Sequence, residues 1–375
     1  MSTGNDPSRR PGRLGVGVIG AGHVGAVLGS ALRAAGHPVV AVSAISAESR
    51  DRAELLLPGV PVVDVPEVVR RSELVLIAVP DDALAGLVSG LADLGAWQPG
   101  QIVVHTSGRH GIDVLAPARA AGVIPIAIHP AMTFTGTSLD LSRLEGTTFA
   151  VTAPGPVLPI GQALVVEIGG EPVIIAEEDR ALYHAALAHG ANHLVVLVAQ
   201  AGQALAAAGV DDPGRVLAPL LGAALDGALR AESAAASGLG HDDLSGERRD
   251  LPPGDDPLAL RGAGAVTALT GPVRRGDAGT VRDHGEVLAD LGARTGAVDI
   301  AASYRVLARS AAQRALAAGQ LREAAARDVL DALAEPGMPV RPGALHEGEN
   351  RDGASAPPEG LIDPQDPEHP QEDDA

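Results

Sequence analysis

Two histidines close apolar runs and lead into turns that carry hydroxyls: His105-Thr106-Ser107-Gly108 and His129-Pro130-Ala131-Met132-Thr133-Phe134. An imidazole at a strand end beside a serine suits proton transfer at a small carbonyl compound. The chain contains no cysteine, and all 28 of its basic residues are arginine. Thiolate nucleophiles, lysine general acids and Schiff bases are therefore excluded, and histidine is left as the general acid. His129, fixed by Pro130, is the expected proton donor. Ser107 would bond a substrate carboxylate or carbonyl, with His105 orienting the turn that carries it. Downstream, His184, Ala188 and Asn192 recur at i, i+4, i+8, which places His184 and Asn192 on one helix face across a small residue. His189 and His193 have the spacing of two metal ligands. No acid accompanies them and no third ligand is evident, so no metal is expected.

A second constellation prepares a cofactor. The apolar run from Leu14 to Ile19 flows into Gly20-x-Gly22-x-x-Gly25, and Ala26, Val27, Leu28, Ala31 and Leu32 continue at helical spacing. Gly20 suits the tight turn, Gly22 the close approach of a diphosphate, and Gly25 helix–strand packing, with His23 and Val24 opening the helix. The diphosphate of a dinucleotide would then meet the free N–H groups at the helix N-terminus. The next strand, Pro38 to Ala44, leads into Ser43, Ser46, Glu48, Ser49 and Arg50. Hydroxyls and an arginine there suit a 2′-phosphate and favour NADP(H) over NAD(H). Glu48 competes as a ribose-binding acid, and Ser46 and Ser49 equally suit capping of the following helix. Val79 and Pro80, at the end of a strongly apolar strand, should flank the cofactor; Asp81 and Asp82 suit helix capping.

Those residues require particular elements. Apolar runs at 14–19, 38–44, 61–65, 73–80, 101–105 and 123–128 read as strands of a parallel sheet alternating with helices, and 147–152 and 171–176 add two more around a helix near 159–168. All would present their chemistry at one carboxyl edge. From 178 the pattern changes to long helices, near 213–235, 264–270, 280–292, 298–318 and 321–335. The expected organisation is an arm (1–13), a Rossmann domain binding NADP (14–177), a helical substrate and dimerisation domain (178–335) with an insertion at 237–262, and an acidic tail (336–375). Within the helical part, Thr270-Gly271-Pro272-Val273-Arg274-Arg275-Gly276-Asp277 breaks the helix. Its paired arginines, one held by Asp277, could clamp a carboxylate.

Composition narrows the classes further. With 375 residues and 1% aromatics, the core must pack small aliphatic side chains. Net charge is −19, and the last forty residues hold ten acids against two arginines. That balance opposes a nucleic-acid partner. No apolar run reaches the ~20 residues of a membrane span, and Arg9-Arg10 precedes the glycine turn rather than an export signal. A cytoplasmic protein is expected.

In order along the chain, the glycine turn, Ala78–Leu84 (AVPDDAL), His105–Gly108 (HTSG), Ile128–Phe134 (IHPAMTF), Tyr183–Leu194 (YHAALAHGANHL) and Thr270–Asp277 (TGPVRRGD) resemble bacterial proteins that pair a Rossmann-like domain with a C-terminal domain of unknown function. Their plan is similar to that of 6-phosphogluconate-dehydrogenase-type reductases, and some members resemble the alternative ketopantoate reductases. The resemblance spans 14 to about 335. It implies an NADPH-dependent reductase of a small anionic 2-oxo acid, ketopantoate above all, and a homodimer formed through the helical domain. Prephenate dehydrogenases carry a similar His-Pro and serine, which assigns His129 and Ser107 to the substrate. Standard ketopantoate reductases use a lysine on the first helix of the second domain. This chain has none, so His129 or His184 would donate the proton, while Asn192, Thr270 and Arg275 hold the substrate from the helical side. Imine reduction, a prephenate-type oxidation and non-catalytic NADP(H) sensing are the rival expectations.

Overall fold

A computed structural model describes residues 12–238 and 263–334. The tail, nearly all of the arm and most of the insertion expected from the sequence lie outside those residues. Contacts divide the chain into two units, Met1–Leu217 and Ala218–Ala375.

The first unit is built on a seven-stranded sheet of order β2-β1-β3-β4-β5-β6-β7, with β1 at Val16–Ile19, β2 at Val39–Ser43, β3 at Leu74–Ile77, β4 at Ile102–His105, β5 at Ile124–Pro130, β6 at Thr148–Thr152 and β7 at Glu171–Ile174. The strands alternate with α1 (His23–Ala34), α2 (Ala47–Leu56), α3 (Val65–Arg71), α4 (Asp81–Asp93), α5 (Ala116–Ala120), α6 (Leu139–Arg143) and α7 (Leu158–Glu167). Alternation along the strands feeds two cores. Val16, Val18, Leu74, Leu76, Val104 and Ile126 face α1 and α7, while Val75, Ile77 and Val103 face α4 and Trp97. A sheet covered on both faces explains the near-continuous apolar strands.

Two expectations change. The segment 61–65 is not a strand: only Val62 bridges to Val42, because Asp64 caps α3 and Pro66 occupies its first turn. The sheet is also not wholly parallel, since β6 runs antiparallel to β5.

The long helix α8 (Arg180–Ala207) falls within the first unit. It is long and apolar enough to cross a membrane, which individual apolar runs did not reveal. Helix α9 (Pro213–Gly238) leads into the second unit, which continues with α10 (Ala263–Val266), α11 (Pro272–Arg275), α12 (Ala278–Thr295), α13 (Val298–Ala317) and α14 (Glu323–Ala332). Its core joins Val273, Val281, Ala308, Ala312, Ala315, Ala326 and Val329. Alanine knobs replace aromatic bulk, so these helices pack closely.

Candidate active site

The carboxyl edge of the sheet assembles the site. At its β1 end the chain turns at Gly20, with φ +93°. A Cβ there would lie 2.5 Å from the Ala78 carbonyl oxygen and 3.4 Å from Val79 Cγ1. Gly25 packs against the Gly20 carbonyl so closely that no side chain fits. Above Gly22 there is open space, and Gly22 caps α1 with no side-chain bond to the first turn and no acid within it. The N–H groups of His23, Val24 and Gly25 therefore lie at a bare, electropositive helix end. This cradle fits a dinucleotide diphosphate.

Around the cradle, the sequence-derived cofactor residues divide. Ser43 is buried, and its Oγ accepts the Gly20 N–H at 3.2 Å. It shapes the turn. Ser46 caps α2 by accepting the Ser49 N–H at 3.1 Å, the alternative role its position allowed. Arg50 is exposed and donates to the Ile45 carbonyl. Val79 and Pro80 follow β3, with Val79 beside Gly20. Pro80 is also the N-cap of α4, so Asp81 and Asp82 lie in its first turn and do not cap it. The sequence did not single out Arg52, whose Nη1 donates to the Ala21 carbonyl at 3.2 Å. The loop after β5 reaches the same place: a Cβ on Gly136 would lie 2.5 Å from His23 Cδ2 and 2.7 Å from Arg52 Nε. Fully buried Asp140 holds that loop by accepting the N–H groups of Thr135 (2.8 Å) and Gly136 (2.7 Å) and the Thr135 hydroxyl (2.9 Å).

Three strand spacings away, roughly 14 Å across the sheet, stands the catalytic candidate. His129 is the last residue but one of β5, and its Nδ1 lies 3.0 Å from the Tyr183 hydroxyl on α8. His184 stacks edge-on at 6.0 Å between ring centroids. Gly108 permits this meeting, because a Cβ on it would sit 2.6 Å from His184 Cδ2 and 2.9 Å from His129 Nε2. Burial first, then the charges of Arg180 and His184, lower the His129 pKa to about 4, with Asp81 opposing. Burial also raises the Tyr183 pKa. A phenol kept protonated can donate to Nδ1, which leaves the ring proton on Nε2 beside Gly108.

His105 plays the orienting part expected of it. It is fully buried, accepts the Ser107 N–H through Nδ1 at 3.2 Å and donates from Nε2 to the Gly111 carbonyl at 2.8 Å. Burial, only partly offset by that bond, brings its pKa to about 4. Ser107 is buried and its Oγ accepts the His110 N–H at 3.0 Å, leaving the hydroxyl hydrogen free to turn toward a substrate.

Asn192 is exposed, two turns beyond His184 on α8. His189 and His193 share a bond between their Nδ1 atoms at 2.9 Å, and no group of three metal-ligating side chains occurs among the described residues. Thr270 and Arg275 lie in the second unit. There Arg275 pairs with Asp277 at 2.8 Å and Arg274 donates to Gln320 at 3.2 Å.

Comparison with known proteins fits this architecture. Residues 1–130 match a Rossmann-like domain, and 147–239 with 259–311 match a domain of unknown function, DUF2520. No curated protein matches the chain. Among solved structures, a candidate NADP oxidoreductase from Bacteroides fragilis is similar at 22% identity and a TM-score of 0.56, over 80% of this chain and 98% of that one. An imine reductase from a Pseudomonas species is similar at 19% identity and a TM-score of 0.54, over 86% and 100% of the two chains. At such identities the likeness is one of fold. The chain belongs to the proteins that join an N-terminal Rossmann-like domain to a C-terminal DUF2520 domain.

Proposed function

We propose that the chain is an NADP(H)-dependent reductase of a small 2-oxo acid, with ketopantoate as the best single substrate. The observation that carries the reading is the sharing of one sheet edge by a bare diphosphate cradle and a half-buried His129–Tyr183 pair beside the Ser107–Gly108 turn. When bound, the nicotinamide supplies hydride to the carbonyl carbon. His23, Val24 and Gly25 would hold the diphosphate through backbone N–H groups. Arg50 and Arg52, the arginines of α2, are the groups available to a 2′-phosphate, since Ser43 is committed to Gly20. At the reacting end, Ser107 would orient the carbonyl and His129 Nε2 would hydrogen-bond its oxygen.

Free His129 is neutral near pH 7, so it must gain its proton with the substrate. An anionic substrate beside it favours that uptake. A reductase of this design has a kcat/KM that rises as pH falls from about 8 to about 5, approaching tenfold per unit. The same neutral imidazole supports a second reading, reduction of a cyclic imine. An iminium brings its own proton, and the pH trend would then be shallow. Assays of NADPH oxidation with ketopantoate and with 1-pyrroline-5-carboxylate across this range separate the two.

A homodimer is part of the proposal. On α8 every residue from 189 to 199 is exposed, and Val195 is 68% accessible. A helix apolar on all sides is ordinarily buried, and a second copy of the chain would supply the cover.

A further inference from the structure

Arg180 opens α8 and is 1% exposed, the largest fully buried side chain among the described residues. A guanidinium keeps its charge at any physiological pH, so burial normally comes with a carboxylate partner. Here the partners are carbonyl oxygens: Nη2 donates to Ser107, Nε to His110 at 3.0 Å and Nη1 to Ala150 at 3.3 Å. The two acids whose charges reach it are Glu177 and Asp81. Among the described residues neither lies within ion-pair distance of it. Glu177 has its oxygens on the Ile112 and Asp113 N–H groups, at 2.6 and 3.1 Å, and Asp81 sits in the first turn of α4.

The three carbonyls come from both sides of His129. Ser107 and His110 belong to the turn after β4, and Ala150 pairs with His129 across the β5–β6 ladder. One planar fork therefore fixes the distance between the Ser107 turn and the strand that carries His129. Its charge is incompletely neutralised and sits one helical turn from Tyr183 and His184. Around His129 the ionisable neighbours are Tyr183, His184 and Arg180 on α8 and Asp81 on α4.

We infer that Arg180 is the positioning residue of this site: it locks the Ser107 turn to the His129 strand, and its unpaired charge makes the site select an anionic substrate. The inference deepens the reductase reading, since it names the ligand charge at that same site. Its geometric half holds whatever the reaction.

The test uses the full chain and reads the His129 ring resonance through a pH titration by NMR, with a His129→Gln variant for assignment. In wild type, pyruvate should raise the His129 midpoint by about one unit, a tenfold gain in proton affinity, while its uncharged methyl ester leaves the midpoint unmoved. Arg180→Gln should raise the midpoint of the free protein by a similar amount and abolish the difference between pyruvate and ester. Arg180→Lys retains the charge but not the fork. It should keep the low midpoint and the preference for the anion, yet lose about tenfold or more in kcat where turnover is measurable. Equal responses to acid and ester in wild type would overturn the electrostatic half even if neither variant folds. A folded Arg180→Lys with an unchanged kcat, or with unchanged Ser107 and His129 backbone resonances where no turnover exists, would overturn the positioning half. A protein that shows these shifts but reduces nothing would instead refute the reductase reading alone.

Discussion

At the scale of single residues, the site depends on close approaches that leave no room for substitution. Gly108 is the sharpest case. A methyl group there would lie within 2.6 Å of His184 and 2.9 Å of His129, so Gly108→Ala must displace an imidazole. We expect kcat to fall about tenfold or more with little change in melting temperature, because the clash falls on side chains rather than backbone. Unchanged kinetics would mean that the two rings do not need their present arrangement. Much of this was legible from residue types. The absence of lysine and cysteine points the acid–base role at histidine, and the His-Pro ending of β5 makes His129 a candidate beside His184. Arg180 and Tyr183 were not legible in the same way. In sequence they fit the opening turn and the apolar spacing of a long helix, and only the fold aims the first at three carbonyls and the second at His129 Nδ1. A signal did exist, since Tyr183 is one of two tyrosines in 375 residues and stands next to His184.

At the scale of elements, Asp140 shows how a buried carboxylate can order a loop. Burial alone would raise its pKa, but the Gly136 N–H and the Thr135 hydroxyl and N–H together outweigh it and hold the carboxyl below its ordinary value. A depressed folded-state pKa means that the carboxylate stabilises the protein above the unfolded pKa, near 4, and that this contribution disappears as pH falls through the folded value. Asp140→Ala should cost about 1–3 kcal/mol in chemical denaturation at pH 7, because the Thr135 and Gly136 N–H groups lose their acceptor. That difference from wild type should shrink toward pH 3. The variant should also bind NADPH more weakly, as the loop it orders touches His23 and Arg52. Strands and most helices followed from period and composition. The segment 61–65 misled because an apolar Pro-Val-Val run matches a strand locally, whereas Asp64 and Pro66 start a helix there. The serines at and after the end of β2 show why residue type alone leaves a role open: hydroxyls that suit a phosphate also suit a backbone N–H, and Ser43 and Ser46 each accept one.

At the scale of the whole molecule, two bodies of different construction share one chain, a layered α/β unit and a bundle packed with alanine. Long exposed apolar surface on α8 makes association the physical expectation. Sedimentation at micromolar concentration should show a dimer, and Val195→Glu should shift it toward monomer by placing a charge on a face that needs cover; a monomeric wild type would remove the homodimer from the proposal. The most direct test of the central claim is oxidation of NADPH by the purified full-length protein with ketopantoate, run beside NADH and the His129→Ala variant. Turnover with NADPH should exceed turnover with NADH and fall by about two or more orders of magnitude in the variant, with NADPH binding intact. A wild type that binds NADPH but never oxidises it with ketopantoate or any other small 2-oxo acid would contradict the claim, as would a variant that turns over as fast as wild type.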